Sequence, residues 1–186
     1  MKRIFDIFLC CLAALVFFVP MLLVAMAVRL TSKGPVLYWS ERVGLHNMIF
    51  RMPKFRSMRV DTPAMATHLL ADARSHLTPI GSFLRKSSLD ELPQLWNILV
   101  GEMSFVGPRP ALFNQRDLIT LRTEQGVNTL LPGLTGWAQV NGRDELPISE
   151  KVKLDVFYKQ RQSLLFDILI LWLTTLKVLS RDGVSH

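Results

Sequence analysis

Asp90 and Glu91 stand side by side in "RKSSLDELPQLWNILVGEMSFVGPRP", between the basic pair Arg85 and Lys86 and an apolar run carrying Leu92, Leu95, Trp96 and Leu99. Adjacent carboxylates can bind a cation, carry a proton or attack an electrophile. They can also do none of these. Ser88-x-x-Glu91 reads as a capping box, in which acids in the first turn favour a helix without any reaction. Pro93 leaves two registers open, since it is the fifth helical residue if Ser88 caps and a first-turn residue if Asp90 caps. In either register Asp90 lies at a positive helix end with cations upstream. Its pKa is then expected to fall, leaving an ionised carboxylate fit for metal binding or nucleophilic attack.

The other reactive-looking residues are cations, and they point to phosphate. No Gly-x-x-x-x-Gly-Lys loop and no Gly-x-Gly-x-x-Gly turn occurs, so arginines, other backbone amides or a metal must hold any phosphate. Between Lys33 and Arg59 six basic residues (Lys33, Arg42, Arg51, Lys54, Arg56 and Arg59) face the single acid Glu41, interleaved with Tyr38, Trp39, Phe50 and Phe55. Many of these charges also fit a basic face resting on anionic lipid. Nucleic acid is the weaker partner, because the charges follow no reading motif. Downstream, "GPRP" places Arg109 in a rigid, proline-flanked turn, and "LPGLTGWAQVNGRDELP" is a second ordered loop.

Elements must hold these side chains in place. The alternation in "GPVLYWSERVG" and "MIFRMPKFRSM", with "GLHN" between, predicts two short strands and a turn. Residues 60–77 read as a turn, a short helix and a connection in which His68 and His76 are surface residues. Thr78 as cap and Pro79 at the first position predict a short helix ending near Lys86. Gly101 stops the helix that carries Trp96, and "MSFV" reads as a strand.

The chain of 186 residues is long enough for one folded unit, with a net charge of +7 and 49% hydrophobic residues. Basic and apolar together suit an anionic membrane surface or phosphate-rich ligands. Cys10 and Cys11, adjacent in an apolar run, fit neither a disulfide framework nor a zinc site. From Ile7 to Val28 there is no charge, a stretch that reaches roughly 33 Å as a helix. The run is too long for a secretory signal peptide, and Asp6 interrupts its basic start. Two readings stay open: a kinked spanning helix, or a helix bent at Pro20 that enters and leaves one leaflet. Lys2 and Arg3 on one flank and Arg29 and Lys33 on the other favour both ends being cytoplasmic. In "SLLFDILILWLTTLKVLSRDG", Ser163, Asp167, Thr174, Lys177 and Arg181 share one helical face, which fits a helix lying in the membrane interface or packed in the core.

The segments "KFRSM", "LRKSSLDELPQLWNILVGEMSFVGPRP" and "PGLTGWAQVNGR", in that order behind an N-terminal membrane segment, closely resemble the bacterial sugar transferases, the monotopic polyprenyl-phosphate phosphoglycosyl transferases. The resemblance runs from about Lys2 to Val184 and corresponds to the small, catalytic-domain-only form. It implies an α+β, mostly helical monotopic membrane protein with small strand elements and interfacial amphipathic helices. Residues 1–32 would be a re-entrant helix and 33–186 a catalytic domain on the cytoplasmic face of the bacterial inner membrane. It further implies a UDP-sugar and a polyprenyl phosphate as substrates, membrane phospholipids as surroundings, magnesium as the metal, and leaves a homodimer open. By resemblance Asp90 is the nucleophile and Glu91 its partner in metal and proton handling, with both as metal ligands. Arg85 and Arg109 match phosphate-holding residues, and Lys54, Arg56 and Arg143 of the matching motifs join that candidate set. Two positions depart from the family pattern. Val19 replaces a serine before the bending proline, and Leu131 stands where many members carry an arginine, so one anion contact is either missing or supplied by Arg122 or Arg143. The rival reading from another class is a non-catalytic adaptor that uses its basic surface at the membrane.

Overall fold

The computed structural model describes residues 1–63, 75–142 and 146–180. The expectations for His68, Arg143, Arg181 and the centre of the 60–77 segment lie outside these residues. The fold is mostly helical with short strands.

The uncharged N-terminal run forms the body of α1 (Lys2–Thr31), which continues through Pro20 and is about 45 Å long at the usual rise per residue. Among the described residues it is the one helix long and apolar enough to cross a membrane. Its pattern is inverted relative to a water-facing helix. Asp6 is only 1% exposed, while Phe8, Leu15, Val16, Phe18, Val19 and Leu22 face outward. The Asp6 carboxylate accepts hydrogen bonds from Ser104 Oγ (2.8 Å) and the Phe105 amide (3.2 Å), which is how a buried charge is made tolerable.

Both ends of α1 are fastened to the same body. Near the start, Arg3 donates to the carbonyls of Ile98 and Leu99, and Cys10 joins a core with Leu95, Ile98, Met103, Tyr158 and Ile170. Near the end, Val24 and Val28 pack with Phe55 and Leu84. Both cysteines are free thiols, Cys10 buried and Cys11 exposed.

The two expected strands are present. β1 (Leu37–Val43) and β2 (Ile49–Phe55) pair antiparallel from Leu37 opposite Phe55 to Val43 opposite Ile49. The "GLHN" turn between them places His46 and Asn47 in the left-handed region, at φ 52° and 62°. Pro53 is tolerated because β2 is an edge strand of a three-stranded sheet with β1 at its centre. α2 (Gly81–Lys86) begins later than Thr78 and Pro79 suggest, because the Thr78 hydroxyl donates to the Ser57 carbonyl instead of capping. His76 is partly buried rather than a plain surface residue, and its carbonyl accepts from the Arg59 amide.

After α3 (Leu95–Val100), "MSFV" supplies β3 (Ser104–Val106), followed by β4 (Ala111–Leu112), α4 (Arg116–Glu124), β5 (Gly133–Thr135) and α5 (Trp137–Val140). β3 and β5 pair in parallel. Two longer helices close the chain, α6 (Ile148–Arg161) and α7 (Leu164–Ser180). From the polar stripe Asp167 and Thr174 turn inward, whereas Ser163, just before α7, is exposed. Asp167, 1% exposed, pairs with Lys2 and accepts from the Tyr158 hydroxyl at 2.6 Å, and Thr174 bonds Thr135 at 2.7 Å. Leu165, Ile168, Leu169, Trp172 and Leu176 face outward.

Candidate active site

The carboxylate pair is not at the start of an α-helix. Leu89–Gln94 forms a 3₁₀ turn, and α3 begins only at Leu95. Ser88 is left-handed at φ 56° and its side chain makes no capping bond, so the capping box does not form. Pro93 supplies a physical reason: in an α-helix capped at Ser88 its ring would clash with the carbonyl of Leu89. The segment stays short, and Asp90 is turned inward at 7% exposure.

Three separate elements bring charge to this turn. Glu91 Oε1 accepts from Lys54 Nζ of β2 at 2.7 Å and from Arg109 Nη2 of the proline-flanked turn at 3.0 Å. Arg85, in the last turn of α2, donates through Nε to Ser57 Oγ at 3.2 Å. Its charge acts on both carboxylates, and burial lowers its own pKa.

This geometry separates the two acids. Burial pushes the Asp90 carboxyl up to about 6; the Lys54 charge opposes that rise, the neighbouring Glu91 charge adds to it, and Arg85 and Arg109 oppose it more weakly. The expectation of a lowered Asp90 pKa is therefore wrong in sign, since a short 3₁₀ turn gives little dipole and desolvation outweighs the cations. Burial also works against ionisation of Glu91, but the charges and hydrogen bonds of Lys54 and Arg109 prevail and hold it well below the usual carboxylate range. Neighbouring carboxylates driven apart in this way are suited to different chemical tasks.

The Arg109 turn is set by close backbone packing. The Gly107 amide donates to the Thr135 carbonyl and the Gly133 amide to the Pro108 carbonyl, both at 2.9 Å. A methyl group on Gly133 would overlap the Gly107 amide nitrogen, and one on Gly136 would overlap the Gly107 carbonyl. This explains the glycines of "PGLTG" through close approach.

The structure thus gathers Lys54, Arg85, Asp90, Glu91 and Arg109. Arg56 is directed elsewhere: only 5% exposed, it donates to the Ser32 and Lys33 carbonyls and the Ser32 hydroxyl, tying the end of α1 to β2. Arg122, a candidate to replace the missing arginine at position 131, is committed to Asp155 and to the Arg109 carbonyl. Sequence reasoning missed Ser57 as the partner of Arg85, although it stands inside "KFRSM". Among the described residues no group of three or more His, Cys, Asp or Glu side chains could cage a metal. Asp90 and Glu91 suit Mg²⁺ in its usual mode, which takes one or two carboxylates and shares the ion with substrate phosphates.

A family model described as bacterial sugar transferase matches residues 1–181, from α1 through α7. The chain belongs to the bacterial sugar transferase family. Among its relatives, the sugar transferase EpsL of Bacillus subtilis (strain 168) is 39% identical over 193 residues, covering 100% of this chain and 91% of EpsL. The UDP-glucose:undecaprenyl-phosphate glucose-1-phosphate transferase of Xanthomonas campestris pv. campestris is 43% identical over 169 residues, 87% of this chain and 35% of that protein. The Escherichia coli (strain K12) enzyme of the same description is 38% identical over 184 residues, 95% of this chain and 40% of its own length. This bacterial sugar transferase therefore spans nearly all of EpsL but well under half of the two named transferases.

Proposed function

We propose that the chain transfers a sugar-1-phosphate from a UDP-sugar to polyprenyl phosphate, releasing UMP and yielding a polyprenyl-diphosphate-linked sugar. This would be the first membrane step of glycoconjugate or polysaccharide assembly. The observation that carries the reading is the divided carboxylate pair, one buried acid without a capping role beside one held ionised by Lys54 and Arg109. That division also counts against the adaptor reading, in which the pair would only cap a helix.

In the first step the Asp90 carboxylate attacks the sugar-bearing phosphorus, and the bond from that phosphorus to the oxygen bridging it to UMP breaks. UMP leaves with the bonding pair, and an aspartyl-phosphosugar remains. In the second step a phosphate oxygen of the polyprenyl phosphate attacks the same phosphorus and the Asp90 carboxylate is released. Lys54, Arg85 and Arg109 provide fixed positive charge around the phosphoryl oxygens, and Glu91 holds two of these cations in place. Asp90 and Glu91 would also hold a bound Mg²⁺, which neutralises charge on the diphosphate. A two-step route avoids seating both anionic substrates at once.

The membrane part of the proposal is a half-inserted protein at the cytoplasmic face of the bacterial inner membrane. Support comes from two facts: both ends of α1 are fastened to the same body, and α1 and α7 bury their acids while turning apolar side chains outward. A lipid acceptor and a soluble diphosphate donor meet at such an interface. Single cysteines placed at Lys2 and at Lys33 are expected to be equally shielded from an impermeant periplasmic reagent; labelling of only one of them would mean that α1 spans.

Activity is tested by presenting a panel of UDP-sugars with polyprenyl phosphate and following UMP. Release with at least one donor, abolished by chelator and restored by Mg²⁺, is the expected outcome. No release with any donor would return the protein to the adaptor reading, and full activity in excess chelator would remove the metal.

A further inference from the structure

The turn that carries Arg109 is held by the β5 backbone at Gly107 and Pro108, but its Arg109 and Pro110 carbonyls need donors from elsewhere. Pro108 and Pro110 have no amide hydrogen, so the turn loses two donors while keeping its carbonyls. Two guanidinium groups from distant elements meet that need. Arg42 of β1 donates Nη1 to the Pro110 carbonyl at 3.2 Å, and Arg122 of α4 donates Nη1 to the Arg109 carbonyl at 2.7 Å. The second contact is the better anchored. Arg122 also directs Nε (2.9 Å) and Nη2 (2.7 Å) to one oxygen of Asp155 on α6. The two side chains are 11% and 2% exposed.

A buried ion pair seldom repays its desolvation through stability alone, because apolar residues of similar volume do as well or better. What apolar residues could not do here is donate to the Arg109 carbonyl. Guanidinium can serve Asp155 and the carbonyl at once because its donors diverge in a rigid plane, whereas an ammonium group is a single point of charge. A small, half-open cavity beside this turn is lined by Arg109, Arg122, Asn47 and Asn128 among others.

We infer that Arg122 and Asp155 are positioning residues for the sugar-phosphate transfer: they fix the backbone of Arg109 so that its side chain meets Glu91 and the donor phosphates. The pair touches no reacting atom. Its influence passes through Arg109, and the inference rests on Arg109 being a phosphate anchor.

The test is a double-mutant cycle on UMP release with UDP-sugar and polyprenyl phosphate, using the full chain in its membrane-mimetic. Arg122→Lys keeps the charge and loses the fork; Asp155→Asn keeps the shape and loses the charge. In the wild-type background each is expected to lower kcat/KM by about tenfold, a size common for residues in one hydrogen-bond network. In an Arg109→Ala background the same changes are expected to add less than about twofold. Equal losses in both backgrounds would overturn the inference and leave the pair a general structural element, as would full activity of both single variants. If instead Arg109→Ala alone retains near-normal activity, the anchor role of Arg109 fails, a result distinct from failure of the pair to couple. Should Asp155→Asn not fold, Arg122→Lys completes the cycle alone.

Discussion

Asp90→Asn is expected to abolish UMP release while leaving the protein folded. Asparagine has nearly the shape of aspartate, and the 3₁₀ turn holding position 90 takes no capping bond from Ser88. A carboxamide cannot form an acyl-phosphate, so the loss should be complete and not graded. The charge change also favours folding. A buried Asp90 whose carboxyl is raised to about 6 is destabilised in its ionised form. Its contribution to stability is full below the ordinary aspartate pKa and is lost as pH rises towards 6, so at neutral pH the asparagine variant should be at least as stable as wild type. The same raised value predicts the pH profile: kcat/KM should fall about tenfold per unit below roughly pH 6, as the nucleophile becomes protonated. Glu91, held well below the ordinary range, stays ionised throughout that window. A flat profile between pH 5 and 7, within the range where proteins commonly stay folded, would contradict the assignment of Asp90 as nucleophile.

Arg109→Ala is the second large effect. Its side chain is 39% exposed and shares Glu91 Oε1 with Lys54. Removing it leaves Glu91 paired, and the fold should survive. The missing contact belongs to charge that develops on the phosphoryl oxygens, where loss of one donor typically costs on the order of 100-fold or more in rate. Steady-state UMP release reads that loss, and a circular-dichroism melt checks the fold. A near-normal rate would remove Arg109 from the site. Arg109→Lys should recover only part of the rate, since an ammonium group keeps the charge and loses the planar pair of donors.

Much of this site was legible in the sequence because its parts are local. The Asp90-Glu91 pair, the alternation of β1 and β2 and the strand in "MSFV" depend on neighbours a few residues away. What escaped depends on burial or on distant contacts. Ser88-x-x-Glu91 has the same spelling whether Ser88 caps a helix or, as here, turns left-handed into a 3₁₀ segment. The sign of the Asp90 shift depends on desolvation that no local charge pattern records. Lys54 and Arg56 are two residues apart in one motif, yet one reaches Glu91 and the other the end of α1. Of the polar stripe expected on α7, Asp167 and Thr174 do share a face. A helical wheel, though, does not say which face meets solvent, and Asp167 and Thr174 point inward. Arg122 stood out in the sequence only as a stand-in for the arginine missing at position 131, and nothing there paired it with Asp155, 33 residues on in another helix.

The central claim is that Asp90 carries the sugar-phosphate between donor and lipid, and it can be read directly by intact-protein mass spectrometry. The enzyme is exposed to UDP-sugar and Mg²⁺ without polyprenyl phosphate, then quenched. Wild type should gain the mass of one phosphosugar, located by peptide mapping to "SSLDELP", and lose it when polyprenyl phosphate is added. The same adduct on Asp90→Asn, or steady turnover by wild type with no adduct at any quench time, would contradict the account.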